Sequence, residues 1–299
     1  MTNSMKQKLA AGELVLCMNL RLARSVDIAM VAKAGGYDAL YVDMEHSPYS
    51  IDTAATICAA ALGIGITPLV RVPSHDGHWA SRVLDGGAQG VIVPHVNNRG
   101  EAEAVVRNCR FPPLGQRSVM GLGPALGYRA LPLGEINERL NAETALIVML
   151  ETAEGIDNAD AIAALPGIDV LLIGSGDLTT DYGIPGQVDH PRLREAYECV
   201  ADACRTHGKV LGVGGIRHNV GLQSELIRLG ARFVIAGTDV NYVLAGARQD
   251  TAALFTGAFL ADTNASFIPL ARRSARIGRL AGLPSLYLPA VTLPPAPLK

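Results

Sequence analysis

The chain has 299 residues, a formal net charge of −2, and 49% hydrophobic against 18% charged residues. This composition can bury a large core, and the near-neutral charge argues against nucleic acid or an anionic membrane as a partner. Five cysteines lack metal-ligand spacing, and no apolar run reaches the roughly 18 residues of a membrane span. We therefore predict a cytoplasmic protein with reduced thiols.

Short apolar runs rich in β-branched residues recur along the chain, and we predict each as a strand. Their apolar character is nearly continuous, as in Val-Leu-Leu-Ile at 170–173. Strands covered on both faces of a parallel sheet have this pattern. The eight predicted strands are Leu14–Asn19, Ala39–Asp43, Thr67–Val72, Gly90–Pro94, Leu146–Glu151, Val170–Gly174, Val210–Val213 and Phe233–Gly237.

Helical patterns separate these runs, and glycine follows several of them, as a left-handed helix end requires. Strands that alternate with helices predict an α/β fold, a closed (β/α)8 TIM barrel over residues 1–260. An open doubly wound sheet is the alternative, but the first strand is not followed by a glycine-rich phosphate loop. The predicted helices are Val26–Ala34, Ile51–Leu62, Asp76–Gly86, Gly100–Cys109, Glu154–Leu165, Pro191–His207 and His218–Leu229.

Two segments are additional to the strands and helices that a minimal barrel needs. Phe111–Glu143 is a long connection rich in glycine and proline, and such connections are usually functional or oligomeric. Residues 261–299 form a predicted C-terminal extension that is partly helical and ends in a proline-rich stretch. Its arginines indicate either a solvated helix face or a surface that packs on a neighbouring subunit; they are Arg272, Arg273, Arg276 and Arg279.

Polar side chains collect at the carboxyl ends of the predicted strands. TIM barrels place their active sites at this end, whereas the amino ends of these strands carry small or apolar residues. The polar residues are Asp43 and His46 after the second strand, Arg71 in the third, His95 after the fourth, Glu151 at the end of the fifth and Asp177 after the sixth.

Glu151 and Asp177 follow consecutive strands, so their carboxylates can converge above the barrel mouth. Two carboxylates repel each other unless a cation or a shared proton lies between them. Carboxylates with water and substrate oxygens are the usual ligands of Mg²⁺ or Mn²⁺. We predict a metal site here, while a helix cap or an ion pair remains the alternative for Asp177.

The cationic side chains suit an anionic substrate. Arg71 presents a planar fork that can bind a carboxylate or an oxyanion, although an ion pair with Asp43 or Asp85 is compatible with that role. His46 can act as a general base near neutral pH. His95 either lines the pocket or donates to a backbone carbonyl.

The order of several motifs is similar to that of a known family. The sequence resembles the HpcH/HpaI aldolases, class II pyruvate aldolases that include 4-hydroxy-2-oxoheptanedioate aldolase. Its motifs are also similar to those of the macrophomate synthase branch. The resemblance covers about residues 5–245. The motifs that carry it are Asp43–Pro48, Val70–Pro73, Leu84–Ala88, Val93–Val96, Arg110–Arg117, Glu151 and Ile173–Leu178.

The resemblance implies a metal-dependent carbon–carbon lyase. It would cleave a 4-hydroxy-2-oxo acid to pyruvate and an aldehyde by retro-aldol chemistry through a metal-bound enolate. Glu151 and Asp177 would hold Mg²⁺, Mn²⁺ or Co²⁺. His46 would be the acid and base, oriented by Asp85, and Asp43 belongs to the predicted catalytic set.

Substrate binding and assembly are implied in the same way. Arg71 would steady the enolate or aldolate oxygen, and the amides of Gly176 and Asp177 would hold the carboxylate. Ser175 and His95 complete the predicted substrate-binding set. The implied partners are a small 2-oxo acid and an aldehyde, and the implied assembly is a homohexamer, a trimer of dimers that exchange the last helix.

The chain departs from the family pattern at two places. Met149 stands where members usually have Gln, and Gly-Ser-Gly-Asp at 174–177 replaces Gly-Pro-Ala-Asp. Two alternatives therefore stay open for the function. One is an oxaloacetate-decarboxylating or condensing enzyme of macrophomate synthase type. The other is a non-catalytic barrel, against which the retained acids, His46 and Arg71 argue.

Overall fold

The computed structural model describes residues 1–261, with side chains to residue 255, and shows a closed barrel of parallel strands. Each strand pairs with the next, and the first pairs with the last. The prediction of a (β/α)8 TIM barrel is confirmed. The strands are β1 Val15–Leu20, β2 Ala39–Asp43, β3 Thr67–Arg71, β4 Gly90–Val93, β5 Ala145–Leu150, β6 Val170–Gly174, β7 Val210–Gly214 and β8 Ala231–Thr238.

One helix precedes the first strand, at least one helix follows each of the eight strands, and a 3₁₀ turn covers Pro124–Leu126. The helices are α1 Ser4–Ala10, α2 Asp27–Ala34, α3 Ile51–Ile64, α4 Gly77–Asp85, α5 Arg99–Cys109, α6 Leu133–Glu143, α7 Ala153–Asp157, α8 Ala159–Ala163, α9 Ser175–Asp181, α10 Pro191–His207, α11 Val220–Leu229 and α12 Asp239–Ala261.

The structure differs from the predictions in one connection and in one helix. The connection Phe111–Glu143 contains α6, whose only fully buried side chain is Ile136, so its apolar periodicity is weak. The predicted helix Glu154–Leu165 is two helices that meet at Asn158. The Asn158 amide donates to the carbonyls of Asn97 and Glu154, and this local bonding competes with a continuous helix.

Alternation along the strands decides which side chains fill the barrel. Every second residue points inward, and these residues form one buried cluster that is separate from the strand–helix core. Met5 and Leu9 of α1 belong to the inner cluster, so the N-terminal helix closes the bottom of the barrel. The inward strand residues include Cys17, Tyr41, Leu69, Ile92, Ile147, Met149, Leu172 and Phe233.

By internal contacts the chain divides into a unit Met1–Ala245 and a second unit from Gly246. Of the second unit, the structure describes the helical residues up to Ala261. The rest of the predicted extension, with its four arginines and proline-rich end, lies outside the described residues. Among the residues that are described, no helix is long and apolar enough to cross a membrane.

Candidate metal and substrate site

The inward register that fills the barrel also supplies the site at its carboxyl end. Arg71 is the last residue of β3, and Glu151 directly follows β5. Because side chains two residues apart on a strand point the same way, Glu151 points inward like Met149. These residues border a cavity of about 340 Å³. Its wall also includes Asn19, Arg21, Tyr41, His46, Ser175, Gly176, Asp177, Gly215, Arg217, His218, Ile235 and Asn241.

Three side chains in this region have the arrangement of a metal site. One ligand atom from each of His95, Glu151 and Asp177 lies within 4.8 Å of the other two. Glu151 is buried, whereas His95 and Asp177 are exposed. Two carboxylates and an imidazole at this spacing suit a divalent cation with open positions for water or substrate. The residues present therefore fit the metal that the sequence predicts.

The Glu151 carboxyl is only partly ionised near neutral pH. Burial raises the pKa of this carboxyl to about 7, and the negative charges of Glu45 and Asp177 add to the rise. The ring and the backbone N–H of His95 act in the opposite direction. Near neutral pH, a cation that displaces the proton would relieve both the burial of a charge and its repulsion by Asp177.

The space for the Glu151 carboxylate exists because residue 174 is a glycine. A Cβ on Gly174 would lie 2.3 Å from Oε1 of Glu151 and 2.7 Å from its Cγ. Gly215 has φ +80°, and a Cβ there would lie 3.2 Å from the Gly176 nitrogen. The two glycines allow β5, β6 and the loop after β7 to approach closely around one point.

Gly174→Ala is expected to weaken metal binding by at least the 10- to 100-fold seen when support for a ligand is removed. The added methyl occupies the position of the carboxylate, so Glu151 must rotate away. The matched control is Gly176→Ala in the same turn, because a Cβ at Gly176 meets no atom within 4 Å. Isothermal titration calorimetry with Mn²⁺ compares them, and equal affinities in the two variants would contradict this role of Gly174.

Arg71 is the centre of a buried network of charges. Its Nε and Nη2 donate to the two carboxylate oxygens of Asp43 at 3.0 and 2.6 Å, and its Nη1 lies 2.8 Å from Glu45 Oε2. Asp43 is fully buried, so it holds Arg71 in place and cannot reach a substrate itself. Burial acts to raise the pKa of Asp43, but the bonds to Arg71 outweigh it, and the pKa lies below its usual value.

His46 lies at the cavity but not beside the residue predicted to orient it. Its backbone N–H donates to Asp43 Oδ1, and its ring Nε2 is 3.9 Å from Glu45 Oε2. Asp85 ends α4, at the opposite end of the barrel, where it pairs with Arg117 at 2.7 Å. Within one chain the structure therefore does not bring Asp85 to His46, and an orienting role would require a contact between subunits.

His95 has an uncommon backbone conformation for a residue with a side chain. Its φ is +52°, in the left-handed region, which costs on the order of 1 kcal/mol outside glycine. The Glu151 carboxylate accepts from its N–H at 3.1 Å, and its ring reaches both Glu151 and Glu45, at 3.5 and 3.3 Å. This conformation turns the ring toward the acids, so the predicted backbone-carbonyl alternative does not describe its contacts.

The turn that opens α9 separates two kinds of group. The Ser175 hydroxyl is buried, donates to the Gly214 carbonyl at 2.7 Å and bonds the Tyr197 hydroxyl at 2.5 Å, so it points away from the cavity. Gly176 and Asp177 line the cavity and lie in the first turn of α9, where backbone N–H groups have no helical partner. The hydroxyl of Ser175 is structural, so the groups of this turn that can face a metal or a substrate are the backbone and the Asp177 side chain.

Three further charged residues lie at this site, and none of them had a predicted role. Glu45 lies between Asp43 and His46 and contacts Arg71, His46 and His95. Arg21 and Arg217 line the cavity from the loops after β1 and β7. All three lie within three residues of a strand end, so the rule that identified the other polar residues also applied to them.

Comparisons with known proteins bear on the same region. The sequence pattern of the HpcH/HpaI aldolase/citrate lyase family matches residues 19–245. The chain is 42% identical over 250 residues to a 4-hydroxy-4-methyl-2-oxoglutarate aldolase of Hapsidospora irregularis, and the match covers 83% of this chain and 93% of that protein.

Solved structures agree with this similarity. An HpcH/HpaI aldolase from Desulfitobacterium hafniense superposes with a TM-score of 0.76 at 30% identity, covering 88% of this chain and 98% of that one. Macrophomate synthase superposes with a TM-score of 0.71 at 26% identity, covering 88% and 90% of the two chains.

Proposed function

The chain belongs to the HpcH/HpaI aldolase/citrate lyase family, and from that premise we propose how its site cleaves a carbon–carbon bond. The protein is a metal-dependent pyruvate aldolase, a lyase that splits a 4-hydroxy-2-oxo acid into pyruvate and an aldehyde or ketone. The observation that supports this assignment is that Glu151 and Asp177 line one cavity with Arg71 and are grouped with His95 at metal-ligand spacing.

We assign the metal to Glu151 and Asp177, with His95 within reach as a third ligand. When bound, a divalent cation supplies Lewis acidity that stabilises negative charge on the oxygens of the 2-oxo acid. The donor set also bears on the choice of ion. An imidazole nitrogen favours Co²⁺ over Mg²⁺ or Mn²⁺, whereas the carboxylates alone suit all three.

The protein groups then bind the substrate and move its protons. The backbone N–H groups of Gly176 and Asp177 donate to the carboxylate of the 2-oxo acid, and Arg71 donates to the oxygen that gains charge as the bond breaks. His46 removes the proton of the C4 hydroxyl. The C3–C4 electron pair passes to the pyruvate fragment, C4 becomes a carbonyl carbon, and a proton is returned to C3.

Glu45 and Asp43 position the groups that carry out these steps. Glu45 lies within 4 Å of a nitrogen of Arg71, His46 and His95, so one carboxylate orients all three cationic or imidazole side chains. Asp43 fixes Arg71 through two bonds and His46 through its backbone N–H. Preorganisation of this kind lowers the cost of arranging donors during the reaction.

A direct assay tests the proposed function. Pyruvate release is measured with a panel of 4-hydroxy-2-oxo acids and with oxaloacetate, first with Mg²⁺, Mn²⁺ or Co²⁺ and then with chelator. We expect metal-dependent release from at least one 4-hydroxy-2-oxo acid. Release from oxaloacetate alone would favour a decarboxylating or condensing enzyme of macrophomate synthase type. Absence of release from every substrate would overturn the assignment.

Metal affinity is expected to rise with pH up to about pH 7 and then to level off. The cation must displace the proton of Glu151, whose pKa is about 7, so affinity falls roughly tenfold per pH unit below that value. Calorimetry in buffers of different ionisation enthalpy counts the protons released. We expect about 0.9 proton near pH 6 and about 0.1 near pH 8 from this carboxyl.

The Glu151→Gln protein is the control for this titration, since it has no proton to displace at residue 151. Any residual binding should lose this pH dependence. If the wild-type protein released no proton at either pH, Glu151 would have to be ionised already in the metal-free state, and the assigned effect of burial on its pKa would be wrong.

Two further expectations remain predictions for this chain. They are the assembly as a homohexamer built from dimers and the location in the cytoplasm. Light scattering on the full chain measures the first directly. A hexamer would also supply the subunit contact that Asp85 requires in order to reach His46.

A further inference from the structure

The cavity wall contains an arginine to which the aldolase reaction, as described above, gives no role. Arg217 lies in the loop between β7 and α11 and lines the cavity together with Arg71 and Asp177. We propose that Arg217 binds a second carboxylate, attached to C4 of the substrate. Arg217 would then select 4-hydroxy-2-oxo dicarboxylates, the class to which the substrate named for the Hapsidospora irregularis relative belongs, over compounds without a C4 carboxylate. This inference rests on the proposed function and specifies the part of the substrate that leaves as the carbonyl product.

The charges around the cavity leave Arg217 without a partner. Arg71 is paired with two carboxylates, and Arg21 lies 3.7 Å from Asp43 Oδ2 and donates to the His46 carbonyl. Among the residues whose side chains the structure describes, Arg217 makes no ion pair, and its buried Nε has no hydrogen-bond partner. A buried donor without an acceptor is costly, so a ligand that supplies a carboxylate there gains binding energy.

The loop holds Arg217 in a defined position. Ile216 before it is 2% exposed, and Asn219 after it caps α11 through the Leu222 N–H. The guanidinium carbon lies 5.9 Å from the centroid of the Tyr242 ring. An aromatic face can orient a guanidinium without neutralising its charge, so the fork stays available for an anion.

The spacing between the two anion sites favours a short acceptor. Gly215 packs against the turn that opens α9, where a Cβ on Gly215 would lie 3.2 Å from the Gly176 nitrogen. Arg217 therefore begins two residues from the backbone that is assigned to the first carboxylate. A cavity of about 340 Å³ is at the small end for ligand sites. Both observations favour a short acceptor, with the second carboxylate attached directly to C4.

A matched pair of substrates tests the assignment. 4-Hydroxy-2-oxoglutarate and 4-hydroxy-2-oxopentanoate have the same reacting carbons and differ at C4, which carries a carboxylate in one and a methyl group in the other. For Arg217→Gln we expect kcat/KM for the dicarboxylate to fall roughly 10- to 100-fold, as for loss of a charge-assisted bidentate bond. For the methyl compound we expect a change of less than about twofold, and Arg217→Lys should recover part of the loss.

The control is Arg192→Gln. Arg192 also lies over a tyrosine ring, at 3.9 Å from the centroid of Tyr182, but it is not part of the cavity wall. An equal loss for both substrates in Arg217→Gln, or no loss for either, would overturn the role of Arg217. Absence of cleavage of both compounds, and of every other 4-hydroxy-2-oxo acid, by the wild-type enzyme would instead overturn the proposed function.

Discussion

Replacing Glu151 with Gln is expected to abolish metal-dependent turnover and, at the same time, to stabilise the metal-free protein. Gln keeps the size of Glu and can still accept from the His95 N–H, but it carries no charge for a cation. Loss of a ligand should exceed the 10- to 100-fold cost of losing a group that only supports one. Turnover should therefore fall to the background without enzyme at ordinary metal concentrations.

The gain in stability follows from the raised pKa of Glu151. A carboxyl whose pKa is about 7 in the folded protein, against 4.5 when exposed, binds more protons folded than unfolded between these values. Its contribution to stability therefore falls as pH rises through this window, and the full penalty is present above about pH 7. Gln removes the penalty, so near pH 8 the unfolding free energy should rise by roughly 2 to 3 kcal/mol.

Urea denaturation with chelator measures this difference, and the two proteins should converge near pH 4.5. Addition of Mn²⁺ should then stabilise the wild-type protein and leave Glu151→Gln unchanged. Glu138→Gln is the control, because Glu138 is an exposed acid on α6, away from the cavity. Equal stabilisation of wild type and Glu151→Gln by Mn²⁺ would show that the cation binds elsewhere.

The sequence was sufficient to predict the barrel because its strands are buried on both faces. Each strand was placed to within two residues at either end, since a continuous apolar run has clear limits. α6 was not predicted, because a helix that buries only Ile136 leaves little periodic signal. The break at Asn158 depends on a bond to Asn97, which lies 61 residues away, and no local pattern encodes that contact.

The candidate site was likewise predictable from the sequence only in part. Strand ends and parity were enough to identify Glu151, Asp177 and Arg71 as neighbours, because the closed barrel brings all strand ends to one rim. The Arg71–Asp43 ion pair was one of two that the sequence suggested, but the other contacts of the charged side chains were not predictable, because they depend on side-chain geometry across several loops. Glu45 is the clearest example, since its contacts come from β3, the loop after β4 and its own loop.

Arg71 shows how the structure changes the design of an experiment. An arginine on the surface could be truncated with little effect on the fold. Arg71 is instead 6% exposed, and it neutralises the fully buried Asp43. Removing one partner of a buried pair costs about 3 to 5 kcal/mol, because the other charge is left without compensation. Arg71→Met should therefore unfold at much lower urea concentration than the wild type, so it cannot report on catalysis alone.

The pH dependence separates this cause from a simple loss of packing. In the wild type the lowered pKa of Asp43 gives stability that is present above its unfolded value, near 3.8, and is lost as pH falls through the folded value. Without Arg71, burial of Asp43 is opposed only by the Glu45 and His46 N–H groups and by Arg21 at 3.7 Å, so the pKa of Asp43 should rise and the variant should lose stability as pH rises above about 4. The double variant Arg71→Met with Asp43→Asn should recover most of the loss.

Arg71→Lys is the variant that tests catalysis. Lysine keeps the positive charge beside Asp43, but it lacks the planar fork that also reaches Glu45 and a substrate oxygen. Since Arg71 is not a metal ligand, Mn²⁺ affinity should stay within about threefold of wild type. The kcat should fall roughly 100-fold or more, as for removal of one donor to a developing oxyanion.

Arg107→Lys, on the exposed face of α5, is the control and should change neither the Mn²⁺ affinity nor the kcat. An equal loss of metal affinity in Arg71→Lys and Glu151→Gln would mean that Arg71 holds the metal site together, because a group that acts only on the transition state leaves the affinity of the metal unchanged.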